Sequence, residues 1–155
     1  MNDLTRLLNL HRHRLQQAER ALGERGRQWK ADQAAAERSE STLLAHRAQE
    51  PAREREIFAG VLGRQVKCPA VAQAREAVAT LQRDGVMLEE SLTQARNIAD
   101  ASRRQLDEAR LGFVRQGRRT EKYQVLERLG NDRVMQALMS REEAEADDLV
   151  LRRIR

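Results

Sequence analysis

Aromatic side chains make up only 3% of this 155-residue chain. So few large planar groups cannot fill a compact globular interior, where aromatics supply much of the buried area. Cysteine occurs once, at Cys68, which excludes an internal disulfide framework and fits a reducing cytoplasm. Only two prolines, Pro51 and Pro69, punctuate the whole length. No apolar run approaches the ~20 residues needed to cross a bilayer as a helix. The opening MNDLTRLLNLHRHR lacks the apolar core and small-residue cleavage site of a secretory signal. A Gly-rich phosphate loop is missing too, and no enzyme signature appears anywhere.

What is present is repetitive. Ala, Glu, Lys, Leu and Arg account for 86 of the 155 residues, above the roughly 50% that marks coiled coils and long helices. Much of the 40% hydrophobic fraction is alanine, which suits helices that approach closely. The net charge of +5 suits an acidic partner but is modest for a dedicated nucleic-acid binder.

Two helical rhythms organise the chain. From Leu4, steps of four and three residues reach Leu8, His11, Leu15, Ala18, Leu22, Arg25, Trp29, Asp32, Ala36, Ser39 and Leu43, eight of these twelve being apolar. The second rhythm runs through Ala74, Val78, Leu81, Gly85, Leu88, Leu92, Ala95, Ala99, Ser102, Leu106, Ala109 and Phe113, ten of twelve apolar. A period near 3.5 is that of a coiled-coil seam. Between them REIFAGVLGRQVKCPAVAQAREA breaks the pattern with Gly60, Gly63 and Pro69, all turn signals. A short connection makes consecutive helices antiparallel neighbours, and folding back lets each narrow apolar stripe cover the other.

The expected fold is therefore all-α, a long antiparallel two-helix coiled-coil hairpin in one domain over residues 1–155. Helix 1 is expected over about 2–58, the turn over 59–69, helix 2 over 70–135, and a C-terminal segment over 136–155. Pro51 should kink or pause the first helix. Ser140 with Glu143 has capping-box spacing, which leaves room for a short separate C-terminal helix. With the turn centred near residue 65, position i lies opposite about 130 − i. Gly85, inside the second seam, fits either a close helix approach or a local bend.

Candidate chemistry is sparse. His11 and His13 are two apart on a helix and point to different faces, so HRHR reads as a polar seam residue beside a surface one, with no metal and no cofactor. Charge is more informative. Residues 1–20 and 103–122, which should lie alongside each other, carry eleven basic and five acidic side chains, a net +6 at the open end of the hairpin. Such a patch suits docking onto an acidic surface. It has one nearby aromatic, Tyr123. At the turn, Ile57, Phe58, Val61, Leu62, Val66 and Val71 are more apolar than a solvated tip requires.

The basic N-terminal helix, the turn segment REREIFAGVLGRQVKCPAVAQAREAVATLQ, the run LEESLTQARNIADASRRQLDEAR, then RRTEKYQVLERL and the acidic EEAEADD together resemble the central-stalk proteins of type III secretion. These are the YscO-like proteins of injectisomes and their flagellar relative FliJ. The resemblance implies a non-enzymatic two-helix stalk like the shaft of a rotary ATPase. Such a stalk links the secretion ATPase ring to the cytoplasmic domain of the export gate, and in some members binds export chaperones. On this analogy Arg12, Arg14, Arg118, Arg119 and Lys122, with Tyr123 beside them, would enter the ATPase ring. Phe58, Val61 and Leu62 would approach the gate. The location implied is the cytoplasmic base of a membrane-bound secretion apparatus, without membrane insertion. From the residues alone, a cytosolic coiled-coil scaffold or adaptor unrelated to secretion remains open, as does a basic nucleic-acid-associated coiled coil.

Overall fold

The computed structural model describes the backbone of residues 3–63, 65 and 67–153, and the side chains of 3–63, 65 and 67–143. Two helices hold nearly all of them: α1, Asp3–Ala59, and α2, Cys68–Arg153, of 57 and 86 residues. They pack antiparallel, and no strand occurs among the described residues. The chain groups into two compact units, Glu24–Asp107 and Met1–Gly23 with Glu108–Arg155.

In the unit Glu24–Asp107 the buried side chains are Leu43, Ala74, Val78, Leu81, Leu92, Ser102 and Leu106, all on the expected stripes. Removing these apolar faces from water is what drives two otherwise polar helices together. Polar bridges flank the seam. Arg25 Nη1 donates to Gln105 Oε1 at 2.6 Å, Ser102 donates to Asp32, and Arg96 meets Glu40 at 2.9 Å. Arg47 pairs with Glu89 on the same flank. Exposed bridges of this kind add little energy each, but together they favour one register over a slipped one. Arg25 finds the residue expected opposite it, His46 meets Gly85 one position from expectation, and Arg47 meets Glu89 six positions along.

The turn sits in this unit. Val61 N and Leu62 N both donate to the Phe58 carbonyl, at 2.9 and 2.8 Å, closing the end of α1. Gly63 then takes φ of 75°, a left-handed conformation open to glycine at no steric cost. Ala70 N donates to the Lys67 carbonyl at 2.9 Å as α2 begins. Pro69 is in the first turn of α2, where a missing amide proton is not needed. Val66 lies outside the described residues.

Neither Pro51 nor Ser140 interrupts a helix. α1 runs without a pause through Pro51. An interior proline costs about 3 kcal/mol or more, and here the seam continues on both sides of it, with Leu43 buried and Ile57 and Phe58 half-buried. Nor does Ser140 start a new helix: α2 continues to Arg153, and Ser140 Oγ donates back to the Ala137 carbonyl at 3.1 Å. Nothing there terminates the helix, so a cap has no orphan amides to satisfy.

In the unit Met1–Gly23 with Glu108–Arg155 the apolar anchor is Leu8, fully buried. Leu15 lies against Gly117, and Leu4 against Gly130, where α1 begins. Residues 131–143 have no α1 residue opposite them and are all exposed.

Candidate docking surface

Beyond Phe113 the seam continues in the same steps of three and four, now through polar residues. His11 and Thr120 are buried, and Gln116 and Tyr123 are half-buried. The Gln116 amide nitrogen donates to His11 Nδ1 at 3.0 Å and to the His11 carbonyl at 3.2 Å. Thr120 Oγ1 stands 2.9 Å from the Gln116 carbonyl and 3.3 Å from the His11 carbonyl, sharing one proton between them. The Tyr123 ring stacks on the imidazole, centroids 4.4 Å apart and planes 15° from parallel. Every buried polar atom of this cluster has a partner, which is the condition for polar groups to be tolerated in a seam. His11 is thus the polar seam residue that its position in the heptad suggests, and Tyr123, stacked on it, is half-buried.

The seam geometry sends the cations outward. Arg12 and Arg14 flank His11 and Leu15; Arg118, Arg119 and Lys122 flank Thr120. All five are exposed, and none forms an ion pair with another described residue. This unit carries fifteen basic and eleven acidic side chains, a net +4, against fourteen and thirteen, a net +1, in Glu24–Asp107. Most of the excess positive charge is therefore carried by one unit. Exposed guanidinium groups such as those of Arg12, Arg14, Arg118 and Arg119 are suited to bidentate recognition of carboxylates.

The apolar turn belongs to the other unit. Ile57, Phe58, Val61 and Val71 are half-buried, whereas Leu62 is 71% exposed. Among the described residues no group of three or more His, Cys, Asp or Glu side chains is arranged to hold a metal ion. No helix among them is long and apolar enough to cross a membrane.

Residues 4–151 match the family model described as type III secretion protein YscO. The chain belongs to the YscO family. It is thus a component of type III secretion, and the layout of helices, turn and basic segments that resembled this family extends across nearly its whole length. No curated protein and no solved structure matches the chain. For a YscO-family protein the partners are those of the secretion apparatus.

Sequence reasoning did not assign Gln116 and Thr120 to the seam. The signal was there: Phe113, Gln116, Thr120 and Tyr123 follow the same alternating steps. Polar identity concealed it, because only a partner group on α1 makes a buried glutamine or threonine acceptable.

Proposed function

We propose that this YscO-family protein is a non-enzymatic central stalk that couples the secretion ATPase ring to the cytoplasmic domain of the export gate. The carrying observation is the set of exposed cations Arg12, Arg14, Arg118, Arg119 and Lys122, none in an ion pair among the described residues, in a single unit of a protein of this family. These residues, with the outer edge of Tyr123, dock on acidic surfaces of the ATPase ring. Phe58, Val61 and Leu62 at the turn contact the gate, and export chaperones are further partners. The protein works in the cytoplasm at the base of the apparatus.

The stalk supplies no chemistry. Two helices placed within a ring of identical subunits touch only some of them strongly. Contacts that differ from subunit to subunit bias which conformation each one adopts, and this is the only way a non-catalytic partner can shift such an equilibrium.

The deciding experiment measures ATP hydrolysis and ring assembly by the cognate secretion ATPase with and without the full-length protein. Stimulation that saturates at a fixed ratio of protein to ATPase is expected. A well-folded protein that neither binds the ATPase nor changes its rate would overturn the stalk reading in favour of a scaffold or adaptor.

A further inference from the structure

Each helix has two flanks beside the seam, one carrying the residues that directly follow a seam residue and one carrying those that directly precede it. In this antiparallel pair the following residues of both helices share a flank. Arg96 meets Glu40 and Arg47 meets Glu89, and all four directly follow seam positions. The preceding residues therefore share the opposite flank. In the unit Met1–Gly23 with Glu108–Arg155 the two flanks differ in chemistry. Following residues Thr5, Asn9, Arg12 and Gln16 on α1, with Gly117, Glu121, Gln124, Arg128 and Asn131 on α2, include no large apolar side chain. The preceding residues include Leu7 and Leu10 on α1 and Leu126 and Leu129 on α2, each between 41% and 53% exposed. Leu7 lies three residues after Leu4 and four before His11, and Leu126 three after Tyr123 and four before Gly130. Both thus widen the seam outward on the same side. A stripe confined to the seam serves one partner helix, whereas a stripe widened by a neighbouring row faces a further layer.

Charge on this flank is nearly all of one sign. The same rows continue to Arg14 on α1 and to Arg115, Arg119, Lys122 and Arg133 on α2, all exposed. Asp3 is the one carboxylate in these rows over residues 3–17 and 115–133, and Arg6 stands 4.0 Å from it. We propose that this flank receives an amphipathic helix, its apolar stripe on the four leucines and its bordering carboxylates on Arg14, Arg119, Lys122 and Arg133. The leucines come from two antiparallel helices side by side, so a third helix laid along the pair covers both rows at once. From Arg119 to Arg133 is about 21 Å along α2, a length that four turns of helix match. A second copy of this flank would set cations against cations, which charge complementarity opposes. The inference rests on the docking role proposed above for Arg14, Arg119 and Lys122 and names what the ring presents to them. Arg12 and Arg118 lie off this flank and act at longer range, by steering.

The test measures association and dissociation rates of the full-length protein with the cognate secretion ATPase, with folding followed by circular dichroism. Leu10→Ser combined with Leu129→Ser changes the two leucines farther from the seam. This variant should keep its fold and dissociate about tenfold faster or more, with association unchanged, because loss of apolar contact acts on the dissociation rate. A photo-crosslinking side chain at position 10 or 129 of the otherwise native protein should capture a helical segment of the ATPase that carries carboxylates beside its apolar stripe. That second readout does not depend on how the serine variant folds. Binding left unchanged by the serine variant, yet weakened by Arg14→Glu with Arg119→Glu, would overturn this inference and leave the stalk reading standing. A native protein that binds no ATPase would overturn both. A crosslink to a second copy, or to a segment without carboxylates, would overturn the inference alone. So would leucine-dependent binding to anionic phospholipid vesicles in place of the ATPase, which would make a membrane surface the occupant.

Discussion

The imidazole of His46 packs directly over Gly85. A Cβ added to Gly85 would stand 3.4 Å from His46 Cε1 and 3.6 Å from Nδ1, and both ring nitrogens are buried with no hydrogen-bond partner among the described groups. Gly85 is therefore a point of close approach, where the missing side chain makes room for a ring. Replacing Gly85 by leucine should force the ring out and destabilise the helical pair by about 1–3 kcal/mol, the usual range for overpacking. His46→Leu should act in the opposite sense. It removes two unsatisfied polar atoms, each of which costs about 1–3 kcal/mol when buried, while keeping similar volume. Thermal denaturation followed by circular dichroism should show a lower Tm for Gly85→Leu and a higher one for His46→Leu.

Leu8 and Leu10 are two residues apart and differ completely in environment. Leu8 is fully buried in the seam, and Leu10 is 43% exposed. Leu8→Ala should cost about 2–5 kcal/mol, the range for deleting a packed leucine. Leu10→Ala should stay within about 0.5 kcal/mol of the parent, as surface changes usually do. Equal losses from the two substitutions in denaturant titrations would mean that the seam does not run through Leu8.

Much of this architecture was legible in the sequence because it rests on a single repeated distance. Leu4 to Leu43 and Ala74 to Phe113 were read as stripes, and every one of those side chains except Arg25 is buried or half-buried. Arg25 itself turns to Gln105. Gly60, Gly63 and Pro69 located the turn, and the basic segments located the exposed cations. What local reading could not supply was the outcome of competitions. The helix-breaking tendency of Pro51 is a local property, whereas the burial that overrides it is spread across Leu43, Ile57 and Phe58. The same limit applies to glycine. Gly63 and Gly85 are identical letters, yet one provides a left-handed turn and the other space for an imidazole. Only the partner helix distinguishes them. Gln116 and Thr120 went unassigned for the same reason, since their acceptors belong to His11, more than a hundred positions away in the chain.

The stacked pair His11 and Tyr123 should behave as a coupled unit. Stacked aromatic pairs add about 0.5–1.5 kcal/mol beyond the area they bury. His11→Ala and Tyr123→Ala should each destabilise, and the double variant should lose less than their sum by an amount in that range. Thr120→Val, which keeps shape but removes the hydroxyl, should cost about 1 kcal/mol, the net worth of one hydrogen bond. Strict additivity of His11→Ala and Tyr123→Ala would show that the rings do not hold one another.

The cations offer the cleanest separation of stability from function. Arg12, Arg14 and Arg119 are exposed and form no ion pair with another described residue. Reversing them to glutamate should therefore leave the folding free energy within about 0.5 kcal/mol of the parent. Docking on an acidic partner depends on these same charges, first through steering and then through charge-assisted bonds. Binding to the secretion ATPase, measured by titration at low and moderate salt, should weaken progressively as Arg12, Arg14 and Arg119 are reversed in turn. Because rim charges act mainly on the encounter, the loss should appear chiefly as slower association, by about tenfold or more for the triple variant. The parent protein should itself lose affinity as salt rises, and the triple variant should be far less sensitive. Unchanged association in a folded triple variant would move the ATPase contact away from this surface. The exposed Leu62 at the turn could then be tested as the docking point.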